Sequence, residues 1–124
     1  MELPHGESIV DTHLLMDQLD NDLTLVAEII DLFIEDCPHR IAALRAAVAS
    51  RDPRALENAA HSLKSSIGNF GAQRAYQLAQ ALEHLGRSGR IDGCDELAQE
   101  LEERLSQLVD ALRSFPRPPT EPEA

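Results

Sequence analysis

Seven apolar residues, Val26, Ile30, Phe33, Cys37, Ile41, Leu44 and Val48, follow one another at steps of three or four. Only an α-helix brings such positions onto one face, so the spacing predicts a single long helix with a continuous apolar seam. Asp22 stands before it as an N-cap, and the segment runs from about Leu23 to Ser50. Pro38 falls inside and removes an internal hydrogen bond. Because the seam resumes in register after it, the pattern predicts a kink near Ile34 to Cys37 and not a break.

The rest of the chain has the same grammar. Asp11 caps a short helix reaching Leu19. Ser50-Arg51-Asp52-Pro53 is a stop and a restart, with Asp52 as cap and Pro53 at the first helical position, where its missing amide costs nothing. The helix it opens ends near Gly68-Asn69. Gly71 is expected to begin the next, with Ala75, Leu78, Leu82 and Leu85 as its buried stripe and a close at Gly86 to Gly89. A last helix runs from about Asp92 to Ser114 and shows Leu97, Leu101, Leu105, Leu108 and Leu112. Four long amphipathic helices joined by short turns pack as antiparallel neighbours. The expected fold is all-α: an antiparallel four-helix bundle with a short additional N-terminal helix, over residues 11–114. Residues 1–10 are expected to be a flexible N-terminus. Residues 115–124, with four of the seven prolines, are expected to be a disordered tail.

Composition narrows the function. Against 11 basic residues stand 22 acidic ones, a formal net charge of −11, which speaks against nucleic acid because phosphate contacts need clustered Lys and Arg. No basic amphipathic face suits anionic lipid, and no apolar run approaches the length of a membrane span. The N-terminus has neither a basic start nor an apolar stretch, so no signal peptide is expected and the location is read as cytoplasmic. Cys37 and Cys94 read as reduced thiols. His5, His13, His39 and His84 form no metal-ligand pattern with each other or with cysteines and carboxylates, so no metal or cofactor is expected.

The fifth histidine is different. Ala60-His61-Ser62-Leu63-Lys64-Ser65-Ser66-Ile67-Gly68-Asn69-Phe70-Gly71-Ala72 sets a histidine and a lysine three residues apart, as neighbours on a helix surface. At about 100° per residue, Leu56, Ala59, Ala60, Leu63 and Ile67 form the core stripe, and His61 lies roughly opposite its centre. Lys64, Ser65 and Gly68 fall within about 60° of His61, with Glu57 and Asn58 one turn before it. The imidazole should face solvent on ground kept low by Ser65 and Gly68. An ordinary neutral imidazole, with a pKa of about 6.5, is a competent nucleophile near pH 7.

This run resembles the signature of histidine-containing phosphotransfer (HPt) domains. Further similar features are Phe33-Ile34-Glu35-Asp36-Cys37-Pro38 in the second helix, Asp52 before the histidine helix, and Leu82-Glu83 in the next helix. The resemblance extends from Asp11 to Leu112. It implies that His61 accepts a phosphoryl group from the aspartyl-phosphate of a receiver domain and passes it to a second receiver's aspartate. Lys64 would stand near the phosphoryl oxygens. Where the family commonly has glycine after that lysine, this chain has Ser65, which is small enough to preserve docking. The implied partners are response-regulator receiver domains and a hybrid sensor histidine kinase; the receiver supplies Mg²⁺, and ATP-dependent autophosphorylation is not expected. Transfer then rests on positioning and charge neutralisation.

Gln80 or Glu83, both on the following helix, is expected to orient the His61 ring. The receiver is expected to dock on the small-residue surface of Asn58, Ser65, Gly68 and Asn69. First-helix side chains such as Leu14, Leu15 or Leu19, and the Ile34–Cys37 kink, are expected beside it. Complete apolar seams suggest a monomer. The initial methionine fits a free-standing shuttle better than a domain of a hybrid kinase. Two other classes remain to be weighed. An HPt-like module that binds without carrying phosphate would not need both His61 and Lys64. A di-metal bundle enzyme needs inward Glu-x-x-His pairs on facing helices, and none falls on the four long helices expected here.

Overall fold

The structure, a computed structural model, describes residues 10–115. Three aspartates set the helix starts. Asp11 Oδ1 accepts the Leu14 amide at 3.0 Å and opens α1 (Thr12–Gln18); Asp22 Oδ1 accepts the Leu25 amide at 3.1 Å and opens α2 (Leu23–Ser50). Asp52 Oδ1 accepts the amides of Arg54 and Ala55 at 3.1 and 3.3 Å and opens α3 (Pro53–Ile67), with Pro53 first as expected. A 3₁₀ turn over Gly68–Phe70 follows, then α4 (Gln73–Arg87) and α5 (Cys94–Arg113). Helix α2 runs unbroken through Pro38.

The helices close a ring: α3 packs on α4, α4 on α5, α5 on α2 and α2 on α3, with α1 laid against the 3₁₀ turn and α2. This is the antiparallel four-helix bundle with a short extra helix. Leu56, Ala60, Leu63 and Ile67 of α3 meet Leu78, Leu82, Leu101, Leu105, Leu108 and Leu112, all essentially without solvent contact. Each such buried leucine or isoleucine contributes roughly 1.5–3 kcal/mol. Phe33 and Phe70 meet edge to face, ring centroids 4.9 Å apart, at the end of the core nearest α1. The cysteines Cys37 and Cys94 are both free and buried.

Four details differ from expectation. Gly71 does not begin α4: it adopts a left-handed conformation at φ 64°, and Ala72 caps the helix. The turn demands glycine there twice over, since a Cβ would also lie 2.5 Å from Asp11 Cβ. The Asp11 amide, donating to Phe70 O at 2.7 Å, draws α1 that close. Leu85, Leu97, Ile41 and Val48 are only half-buried at the margins of their stripes. Phe115, assigned to the tail, packs into the core, and Val10, assigned to the flexible N-terminus, packs against its edge. An aromatic ring in a proline-rich segment still gains more from burial than the segment's composition suggests. Residues 1–9 and 116–124 lie outside the described residues. No described helix is long and apolar enough to cross a membrane.

Candidate functional site

Helix α3 turns five residues inward, Leu56, Ala59, Ala60, Leu63 and Ile67. That rotation fixes His61 on the opposite side, with its side chain 61% exposed. Beside it, α4 delivers Glu83, which is only 4% exposed. An acidic side chain reaches this depth because α3 and α4 approach closely at Gly86. A Cβ there would lie 2.5 Å from Pro53 O and 2.6 Å from the Glu57 amide nitrogen. Nothing larger than hydrogen fits.

Glu83 has every oxygen engaged. Its Oε2 lies 2.8 Å from His61 Nδ1 and accepts from Arg87 Nη2 at 2.9 Å, while Oε1 accepts from Lys64 Nζ at 2.7 Å. The pKa of Glu83 is held below its ordinary value of 4.5, first by the Lys64 hydrogen bond and then by that of His61, against the opposing effect of burial. The group is therefore a carboxylate, which can only accept. Its imidazole partner must donate, so the Nδ1 proton faces inward and Nε2 is the ring nitrogen turned away from Glu83. The second contact of Arg87 is Glu57 Oε2, at 3.0 Å from Nε.

Of the two orienting candidates, Glu83 makes the contact. Gln80 is exposed and has no hydrogen bond to His61. Lys64 departs from a simple surface charge: it is 21% exposed, tied to Glu83, with Nζ 5.9 Å from the centroid of the Tyr76 ring. Asn58, Ser65, Gly68 and Asn69 are all exposed, and a Cβ on Gly68 would meet only Tyr76 Cε2 at 3.8 Å, so the ground near His61 is open.

The expected docking leucines are corrected. Leu15 is a core residue, 1% exposed, and Leu19 is half-buried against the core. A helix of only two turns has too few apolar positions to fix its rotation from periodicity, and Leu14 is the residue left outside, at 36%. Leu14, Ile67, Gly68, Ala72, Tyr76 and Gln77 line a shallow hollow of about 450 Å³. Ile34 and Cys37 do not flank His61; they line a groove shared with α5. What α2 brings to α3 is Arg40, which donates to Ser62 Oγ and pairs with Asp36 at 2.8 Å.

Arg87 and Arg40 were not foreseen. Arg87 had a readable signal, since it lies four residues after Glu83 on one helix. Among the described residues, no cluster of three or more His, Cys, Asp or Glu side chains could hold a metal ion.

Fold and site together define the class: a helical bundle that presents one anchored histidine to a partner. The model of the Hpt domain family matches residues 28–113. Two solved structures share the fold. The histidine-containing phosphotransfer protein B (HptB) from Pseudomonas aeruginosa PAO1 superposes with a TM-score of 0.78 at 24% identity, over 90% of this chain and 94% of that one. The HPT domain of a sensor hybrid histidine kinase from Shewanella gives 0.75 at 16% identity, over 85% and 91%. No curated protein sequence matches the chain. The chain belongs to the Hpt domain family, and its function is histidine phosphotransfer in two-component phosphorelays, among receiver domains and kinases.

Proposed function

We propose that His61 is the phosphoryl-carrying residue and that Nε2 is the atom phosphorylated. The observation that carries this is the 2.8 Å contact of Nδ1 with the Glu83 carboxylate, beneath a ring that is otherwise exposed. The Nε2 lone pair attacks the phosphorus of a receiver's aspartyl-phosphate. The N–P bond forms as the acyl P–O bond breaks, and the aspartate leaves as carboxylate. The ring becomes cationic while keeping its Nδ1 proton, and Glu83 stabilises that charge across the existing hydrogen bond. Return transfer to a second receiver reverses each step.

Lys64 screens Glu83 in the resting state. Its long stem lets the ammonium swing out to the phosphoryl oxygens as a point charge. Glu83 then retains Arg87 as a partner, so the movement does not strand a buried carboxylate. The receiver contributes Mg²⁺ and its acidic pocket, and this chain needs no metal of its own. The exposed patch of Asn58, Ser65, Gly68 and Asn69, with the Leu14–Tyr76 hollow, receives the partner. The protein acts as a cytoplasmic monomer.

Incubation with a phosphorylated receiver domain should place an acid-labile, base-stable label on the wild type and none on His61→Gln. Receiver binding without label on wild type would favour the interaction module instead.

A further inference from the structure

The charge of this protein is distributed unevenly. Between Pro53 and Arg90 lie five of the 11 basic residues, Arg54, Lys64, Arg74, Arg87 and Arg90, and only two of the 22 acidic ones, Glu57 and Glu83. Both acids are tied up by Lys64 and Arg87, and Arg74 is paired with Glu100. Arg54 and Arg90 are left exposed, with no ion pair among the described residues.

Arg54 is in an unfavourable place for its own helix. It is the second residue of α3, where a cation opposes the helix dipole. The nearby Asp52 carboxylate is turned to the backbone amides of Arg54 and Ala55 as the cap. Counting at about 100° per residue puts Arg54 within about 20° of His61 on the same face, two turns and roughly 10 Å away. Arg87, 58% exposed, lies between α3 and α4 through its bond to Glu57. Arg90 follows in the next turn, beside the outer face of α4, where Gln77, Gln80 and His84 bring no acidic group. Arg54 thus opposes its own helix dipole and makes no ion pair among the described residues, which leaves its charge open to a partner.

We infer that Arg54, Arg87 and Arg90 form a basic band across this end of the α3–α4 hairpin, which receives an acidic surface of the receiver docked over His61. The inference rests on the proposed phosphocarrier role. A receiver that holds both Mg²⁺ and an aspartate must carry carboxylates around its site. A protein with a net charge of −11 repels such a surface on the whole, and exposed, unpaired arginines offset that repulsion locally. The band therefore steers the encounter and sets the side from which the partner approaches, without touching the reacting atoms.

The test compares single-turnover phosphoryl transfer from a phosphorylated receiver domain to wild type and to the double variant Arg54→Glu, Arg90→Glu. At low salt the double variant should lose tenfold or more in kcat/KM, with the rate at saturating receiver unchanged. The gap should close near 1 M salt, where the Debye length is about 3 Å. Removing a cation from the start of α3 should not lower Tm, so misfolding is separable from lost docking. Normal transfer by wild type with an equal kcat/KM for the variant would overturn the band and leave the phosphocarrier role standing. So would a loss that persists at 1 M salt, or comparable arginine-dependent binding to duplex DNA or phosphatidylserine vesicles. No label on wild type from any receiver that binds it would overturn both.

Discussion

The two sides of the bundle are built on opposite principles. Between α3 and α4, Ala59, Ala60, Ala75, Ala79 and Gly86 let the backbones approach until Gly86 has no room for a Cβ. Between α2 and α5, larger side chains such as Ile34, Ile41, Leu105 and Val109 hold the helices apart, leaving an open groove of about 520 Å³. The close side buries its carboxylate, since Glu83 reaches His61 only because α4 lies so near. The ion pair of the open side, Arg45 with Glu102, stays at its rim. Proximity that would be mere packing elsewhere sets which ring nitrogen of His61 faces the Glu83 carboxylate here.

The largest effect should come from Gly86→Val. Its β-carbon meets backbone atoms of Pro53 and Glu57, which cannot rotate away. The seam must open at a cost of about 3 kcal/mol, outweighing the roughly 1 kcal/mol glycine costs a helix. A fall in Tm on the order of 10 °C and loss of phosphoryl transfer are expected. Retention of both would mean that close approach is not what seats Glu83.

Glu83→Gln should slow transfer about 10- to 100-fold, the scale of a misoriented reacting group, and lower stability at neutral pH. Because the folded-state pKa of Glu83 is depressed, its stabilisation is fully present above the ordinary value of 4.5. It is lost as pH falls through the depressed folded value. Urea unfolding of wild type and variant should therefore converge towards acid pH; a constant gap would show that the carboxylate charge contributes nothing.

Lys64→Ala should slow transfer less, by about tenfold, since Arg87 still faces Glu83. Equal transfer rates for wild type and variant would remove Lys64 from the chemistry. On the open side, exposed Ala42→Leu should change stability by less than about 0.5 kcal/mol and leave transfer untouched. A large loss there would abolish the contrast between the two sides.

The sequence shows the helices plainly because the first three start at aspartate caps and each long helix has a periodic stripe. Asp11, Asp22 and Asp52 all cap as expected, and the buried face of α3 matches residue for residue. His61 and Lys64 were legible through spacing and family resemblance. The choice between Gln80 and Glu83 was not, because it turns on helix separation, which Gly86 sets and no periodicity records. Leu15 was misread because α1 is too short for a dominant face. Gly71 was misread because a left-handed turn and a helix start share the same residue.

The most direct test is NMR of the His61 ring nitrogens before and after phosphoryl transfer from a receiver. Nδ1 should carry a proton in both states, with phosphorus on Nε2. Phosphorus on Nδ1, or on another residue altogether, would contradict the Glu83-anchored histidine.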